Sequence, residues 1–304
     1  MATVDGDHHE ITARDERGTP RDGADPIVRA LADSARACAR EAGIPLHEIL
    51  AIGCAAPGPL DHRTGLVHEA PNLVGFKEVA LASRLSDALD GVTVFVDRDT
   101  AMAAIAEGAI GAARGARDFI YVTVSTGLGG SIVSGGRMLR GATNTAGEIG
   151  HWPVAFQLDV SREAGADLPR CGCGSFGCAE SFAAGRNMAD AFGVEDTAEV
   201  FAAAARGDRR ATTIVTRAER ALGNLAVGLV NVLNPALIVV GGSIADNQPA
   251  HVLEPMRRAI AERAFRAPAT AVRVVPAALG RDVGMLGAVF AARERLQGRG
   301  EWFL

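Results

Sequence analysis

The sequence predicts an α/β protein. Three observations carry this. Short apolar runs rich in β-branched residues, such as 119–124 and 237–240, read as buried strands. Longer stretches with helical spacing alternate with them along the chain. The length, 304 residues with 48% hydrophobic and 22% charged, suits two lobes of roughly 100–200 residues each.

Taken in order, residues 3–17 read as a hairpin turning at Asp5-Gly6-Asp7, and 18–25 as a polar loop. A helix is expected over 27–42, with Asp25 as N-cap, Pro26 in the first turn and Gly43 as its stop. Residues 49–55 read as a strand ended by Ala56-Pro57-Gly58-Pro59. Turns follow at 61–65 and 70–73, then a helix over 79–89. A strand at 92–96 delivers Asp97-Arg98-Asp99, and 100–110 reads as a small-residue helix. Beyond the strand at 119–124, a second strand lies around 131–133 and turns at Gly135-Gly136. Residues 182–207 carry short helices, and 211–233 a long one stopped at Asn234-Pro235. A strand at 237–240, a helix at 249–265, a strand at 272–275 and a helix at 283–296 complete the chain.

The net charge of −5 leaves no electrostatic footprint for nucleic acid or a membrane surface. No apolar run approaches the ~20 residues of a membrane span. Residues 1–10 are polar and acidic, unlike a signal peptide. The reading places the protein in the cytoplasm, without nucleic-acid or membrane partners.

The chemistry concentrates in residues 125–180. Cys171, Cys173 and Cys178 sit among glycines that let three sulfurs aim at one point. Zinc takes four nitrogen or sulfur ligands, and His151 lies upstream to supply the fourth. A structural zinc site is preferred to a disulfide plus a spare thiol, or to three unrelated buried cysteines. Cys38 and Cys54 read as ordinary buried thiols. Ser125-Thr126-Gly127-Leu128-Gly129-Gly130 joins two strands, and such a turn can present backbone N–H groups and a hydroxyl to phosphate. It is neither a Walker loop nor a dinucleotide fingerprint.

Asp99 stands where a strand ends and a helix begins. It can act as a general base or cap the helix, and local sequence alone favours the cap. Glu148 and Glu180 flank the proposed metal ligands. They suit recognition of vicinal hydroxyls, or else are solvated surface charges. His151 can give one ring nitrogen to zinc and the other to a ligand.

With these residues in place, the chain resembles the ROK family of bacterial sugar kinases and sugar-responsive repressors, over nearly its whole length. Cys171-Gly-Cys-Gly-Ser-Phe-Gly-Cys-Ala-Glu180 matches the family's zinc signature. Ala146-Gly147-Glu148-Ile149-Gly150-His151 closes its glycine-rich signature. Ala56-Pro57-Gly58-Pro59, Ala70-Pro71-Asn72-Leu73, Asn234-Pro235 and Val240-Gly241-Gly242 follow in the family's order. The resemblance implies an actin/hexokinase-like (ribonuclease H-like) fold of two lobes with a sugar-binding cleft between them. The expected N-terminal lobe is 1–112 completed by 283–304, and the C-terminal lobe is 113–282. It further implies that Gly58, Asn72, Arg98, Glu148, His151 and Glu180 contact the sugar, with Asp99 deprotonating O6 of a hexose. Thr126, Gly127 and Gly129 would face the phosphates of Mg-ATP, and Gly241 and Gly242 the adenosine. A homodimer or homotetramer is the expected assembly.

Two departures stand out. The family's opening Asp-x-Gly-Gly-Thr strand is missing, so either the chain begins downstream of it or the N-terminal lobe is rearranged. Arg98 stands where the family usually has an Asn that holds sugar hydroxyls, so Arg98 would pair with Asp99 or select an altered sugar. The expected function is a glucokinase-like kinase; the alternative is a sugar-binding sensor without turnover.

Overall fold

The computed structural model describes residues 10–70, 73–154 and 168–298. The chain divides into two compact units. The first comprises Met1–Ile110, Arg140–Ala146 and Arg281–Phe303; the second comprises Gly111–Leu139 and Gly147–Gly280.

The first unit opens with extended chain and then α1 (Ala24–Glu41). The expected N-cap, Asp25, lies inside the first turn instead, where it pairs with Arg84. Gly23, at φ 108°, occupies the cap position. Gly43 ends the helix at φ 70°, a left-handed conformation glycine adopts without a Cβ penalty. Of the hairpin expected over 3–17, residues 1–9 lie outside the described residues. Residues 10–17 carry one bridge position, at Ile11, and no strand.

β1 (Ile52–Ala56) and β5 (Val94–Arg98) pair in parallel, Cys54 opposite Val96. They form a sheet of two strands among the described residues. β2 (Leu60–Asp61), β3 (Leu66–Glu69) and β4 (Lys77–Ala80) form a separate antiparallel sheet. The sequence reading saw only turns there, because strands of two to four residues carry too few positions for alternation to show. β4 also takes Val79 and Ala80 from the expected helix, so α2 is Leu81–Ala88.

α3 (Asp99–Ala109) follows β5, and α11 (Val283–Leu296) returns from the far end of the chain to pack on α3 and β1. Two glycines let it come close. A Cβ on Gly53 would lie 1.9 Å from the Ala288 carbonyl oxygen, and one on Gly287 would lie 1.8 Å from that of Met102. The core of this unit gathers Val28, Leu60, Val67, Leu85, Leu89 and Val96.

The second unit is built on a five-stranded sheet ordered β10-β9-β6-β7-β8. β6 (Phe119–Val124), β9 (Leu237–Gly241) and β10 (Arg273–Pro276) run parallel. β7 (Leu128–Ser134) and β8 (Arg137–Met138) are antiparallel, joined by Gly135-Gly136 at φ 61° and 80°. Two successive positive φ angles are those of the hairpin turn that matches strand twist. β6 and β9 are almost wholly buried, which explains why they read as unbroken apolar runs.

α4 (Ala179–Ala183), α5 (Gly185–Phe192) and α6 (Thr197–Ala205) pack with α7 (Arg209–Leu233). Asp208 caps α7 by accepting from Ala211 N at 2.9 Å, and Asn234 ends it at φ 43°. α8 (Ser243–Asn247), α9 (Pro249–Arg263) and α10 (Arg266–Ala271) complete the unit. The single helix expected over 249–265 stops at Arg263. No described helix is long and apolar enough to cross a membrane.

Candidate functional site

In the second unit a four-residue knot forms around His151, Cys171, Cys173 and Cys178. One ligand atom from each lies within 4.8 Å of all the others. Cys171 Sγ sits 3.4 Å from His151 Nδ1, and the Cys173 and Cys178 sulfurs are 3.8 Å apart. That separation is far beyond the ~2.05 Å of an S–S bond, so the thiols are free. Backbone bonds shape the loop: Cys171 N–H donates to Ser175 O at 2.8 Å, and Gly174 N–H to Cys171 O at 3.0 Å. Gly174 and Gly177 take φ 89° and 70°. Short bridges, Arg170 to Phe176 and Pro153 to Cys178, pin the knot to the segment carrying His151.

Burial pushes the Cys171 thiol up to about 12, and also raises that of Cys178. The backbone bond involving Ser175 lowers that of Cys173. Three clustered thiols and an imidazole are the donor set of a closed tetrahedral zinc site, and zinc would drive the thiols to thiolates. Cys38 and Cys54 are buried and apart from this group, and burial raises the Cys54 thiol to about 11.

Glu180, in the first turn of α4, ties the knot to the glycine-rich turn. Its Oε1 lies 3.7 Å from Cys171 Sγ and 3.9 Å from His151 Nδ1. Its Oε2 accepts from Leu128 N at 3.3 Å. A Cβ on Gly127 would approach that same oxygen to 3.4 Å. Glu148 Oε2 stands 4.0 Å from His151 Nε2, so the imidazole has Cys171 on one nitrogen and a carboxylate near the other.

The residues expected to hold nucleotide gather within this unit. Thr126 and Gly127 are exposed at the β6–β7 turn, and Gly129 pairs with Thr123. Thr126 O accepts from Arg186 N at 3.2 Å, and Ser125 Oγ meets Ser243 Oγ at 2.9 Å. A Cβ on Gly242, at φ 99°, would lie 2.6 Å from Val124 O; one on Gly241 would lie 2.8 Å from the Tyr121 hydroxyl. The end of β9 therefore lies against the end of β6, beside the exposed turn.

In the first unit, Asp99 is the exposed first residue of α3, at the C-terminal end of β5. Its Oδ1 accepts from Thr100 N at 2.7 Å, while the cap position belongs to Arg98. The cap reading of Asp99 is thus shifted by one residue. Arg98 is buried, and its Nη2 donates to Ala146 O at 2.6 Å.

Asp97 is only 1% exposed, and its carboxylate takes both Nη atoms of Arg140, at 2.7 and 2.6 Å. Arg295 Nη2 lies 3.7 Å away, and Arg98 N donates to Asp97 Oδ1 at 2.8 Å. Burial alone would raise this carboxyl; the charge and hydrogen bonds of Arg140 outweigh it and hold it below the usual range. Nothing local in the sequence signals this cluster, since the partners of Asp97 stand 43 residues away at Arg140 and far along the chain at Arg295. Gly58 adopts φ 86°, and a Cβ there would lie 2.0 Å from Glu69 O. Asn72 lies outside the described residues.

The ROK family profile matches residues 1–295, and the chain belongs to that family. A ROK hexokinase from Thermus thermophilus is similar at 34% identity and a TM-score of 0.77, over 97% of this chain and 94% of that one. A ROK glucokinase from Streptomyces griseus, solved with glucose and AMPPNP, is similar at 28% identity and a TM-score of 0.73, over 91% of this chain and 90% of that one. The glucokinase of Halalkalibacterium halodurans is 31% identical over 82% of this chain and 77% of its own length. The fold is therefore the actin/hexokinase-like α/β fold of the ROK hexokinases.

Proposed function

We propose that this chain is an ATP-dependent hexose kinase that phosphorylates O6 of a glucose-like sugar. The observation that carries the reading is the exposed carboxylate of Asp99 at the junction of β5 and α3, in a chain similar to a glucokinase solved with glucose and AMPPNP. Asp99 takes the proton of the attacking hydroxyl, the sugar oxygen bonds to the γ-phosphorus, and ADP leaves. Gly58, Asn72, Arg98, Glu148, His151 and Glu180 orient the sugar. Thr126, Gly127, Gly129, Gly241 and Gly242 hold the nucleotide. Mg²⁺ arriving with ATP neutralises phosphate charge. Zinc, held by His151, Cys171, Cys173 and Cys178, is structural: its four donors leave no open position for catalysis. In this reading the enzyme works in the cytoplasm as a homo-oligomer.

ADP release by the full chain over a panel of neutral hexoses tests the proposal. Sugar-dependent release, strongest with glucose, is expected. Sugar binding with no release from any hexose would instead make the chain a sensor without turnover, the role Arg98 in place of the family's Asn would favour.

A further inference from the structure

Outside all of these residues, the second unit carries an open groove of about 450 Å³ along the seam of α7 and α9. Its lining follows the helical repeat on both sides: Thr216, Arg220, Gly223 and Asn224 from α7, and Arg258, Glu262 and Arg263 from α9 among them. The floor is low because Gly223 faces Ala259; a Cβ on Gly223 would lie 2.9 Å from that of Ala259. The same Cβ would come within 3.3 Å of Arg263 Nη2, so that guanidinium lies across the floor.

Arg263 is held there. Its Nη1 donates to Asn224 Oδ1 at 2.6 Å, and buried Asn224 donates in turn to Val154 O at 3.3 Å. Asn224 is 5% exposed and spends both ends of its amide on this task. Arg220 and Arg258 stand exposed on the two walls, with no hydrogen bond or ion pair to any described residue. The lining sets three guanidiniums against two acids, Glu262 and Glu219, and Glu219 is already engaged by His251 Nδ1 at 2.7 Å. This is a local cationic surplus on a chain whose net charge is −5.

We propose that this groove is a binding site for a phosphate group, carried by a small phosphorylated metabolite or present as inorganic phosphate. Planar guanidinium forks match phosphate oxygens in geometry as well as charge, and a fork already fixed by Asn224 loses little freedom on binding. The Thr216 hydroxyl adds a neutral donor on the same wall. The phosphates of the proposed kinase reaction fall on other residues, so this site stands whether or not that reaction does.

Hydrogen exchange read by mass spectrometry on the full chain tests it, with inorganic phosphate and glucose 6-phosphate as probes and chloride at equal ionic strength as control. Either probe should slow exchange in peptides covering 216–224 and 255–263. Protection by both shows that the phosphate group suffices; protection by the ester alone shows that the metabolite is required. In Arg220→Ala and Arg258→Ala the affinity read from this protection should fall roughly tenfold each, and in the double variant about a hundredfold. Both side chains are exposed, so urea melts of the variants should overlay the parent. No protection with either probe, or equal protection in the double variant, overturns the proposal. So does protection that tracks protein concentration and not phosphate, since that would mark self-association through the groove.

Discussion

Asp97 and Arg140 form a two-pronged, nearly dry ion pair, with both guanidinium Nη atoms on one carboxylate at 2.7 and 2.6 Å. Arg295 of α11 stands behind them at 3.7 Å, so one buried acid gathers three separate segments of the first unit. Removing that acid strands two cations away from water.

Asp97→Asn should therefore cost about 3–5 kcal/mol in urea denaturation, the range for breaking a buried pair from one side. The pH dependence follows from the sign of the shift. The folded carboxyl is held below its unfolded value of about 4, so its contribution is complete above that value and is lost as acidification passes through the lower, folded value. The variant should lose that portion of the acid transition.

Zinc content reports on the four-residue knot. The protein as purified should hold one zinc per chain, and Cys171→Ser or Cys178→Ser should release it to a colorimetric chelator at much lower chelator concentrations. Binding converts thiols to thiolates, so affinity should fall steadily as pH is lowered. Chelation should also lower the melting temperature, because the knot ties Cys178 and Pro153 together at the start of α4.

Gly287→Ala probes the seat of α11. The new methyl would lie 1.8 Å from the Met102 carbonyl oxygen, a backbone atom that cannot swing aside. Overpacking of this kind costs about 1–3 kcal/mol, and here the upper end is expected in thermal or urea melts. Gly284→Ala, which meets nothing within 4 Å, is the matched control and should leave stability nearly unchanged.

Much of this was legible in the residues themselves. The four-residue knot was readable because its spacing is short and its donor chemistry narrow: three of its four donors fall within eight residues. β6 was readable to the residue because both its faces are buried, and α11 because Gly280-Arg281-Asp282 and Gln297-Gly298 bracket it. The three-stranded β2-β3-β4 sheet was not, because its strands are too brief for alternation to register. The Asp97 cluster was hidden for a different reason: Arg140 and Arg295 are remote in the chain, and only tertiary structure brings them to the end of β5. The α7–α9 groove likewise needs two helices at once, since neither Arg220 nor Arg258 differs locally from any solvated surface arginine.

In the proposed reaction Asp99 is the group that accepts the proton from the sugar. The most direct measurement is the turnover number of Asp99→Asn with saturating ATP and glucose, set beside its glucose affinity from calorimetry. A loss of about 10²–10⁴ in kcat is expected, with glucose binding within a few-fold of the parent. Turnover by Asp99→Asn within about tenfold of the parent would contradict the assignment.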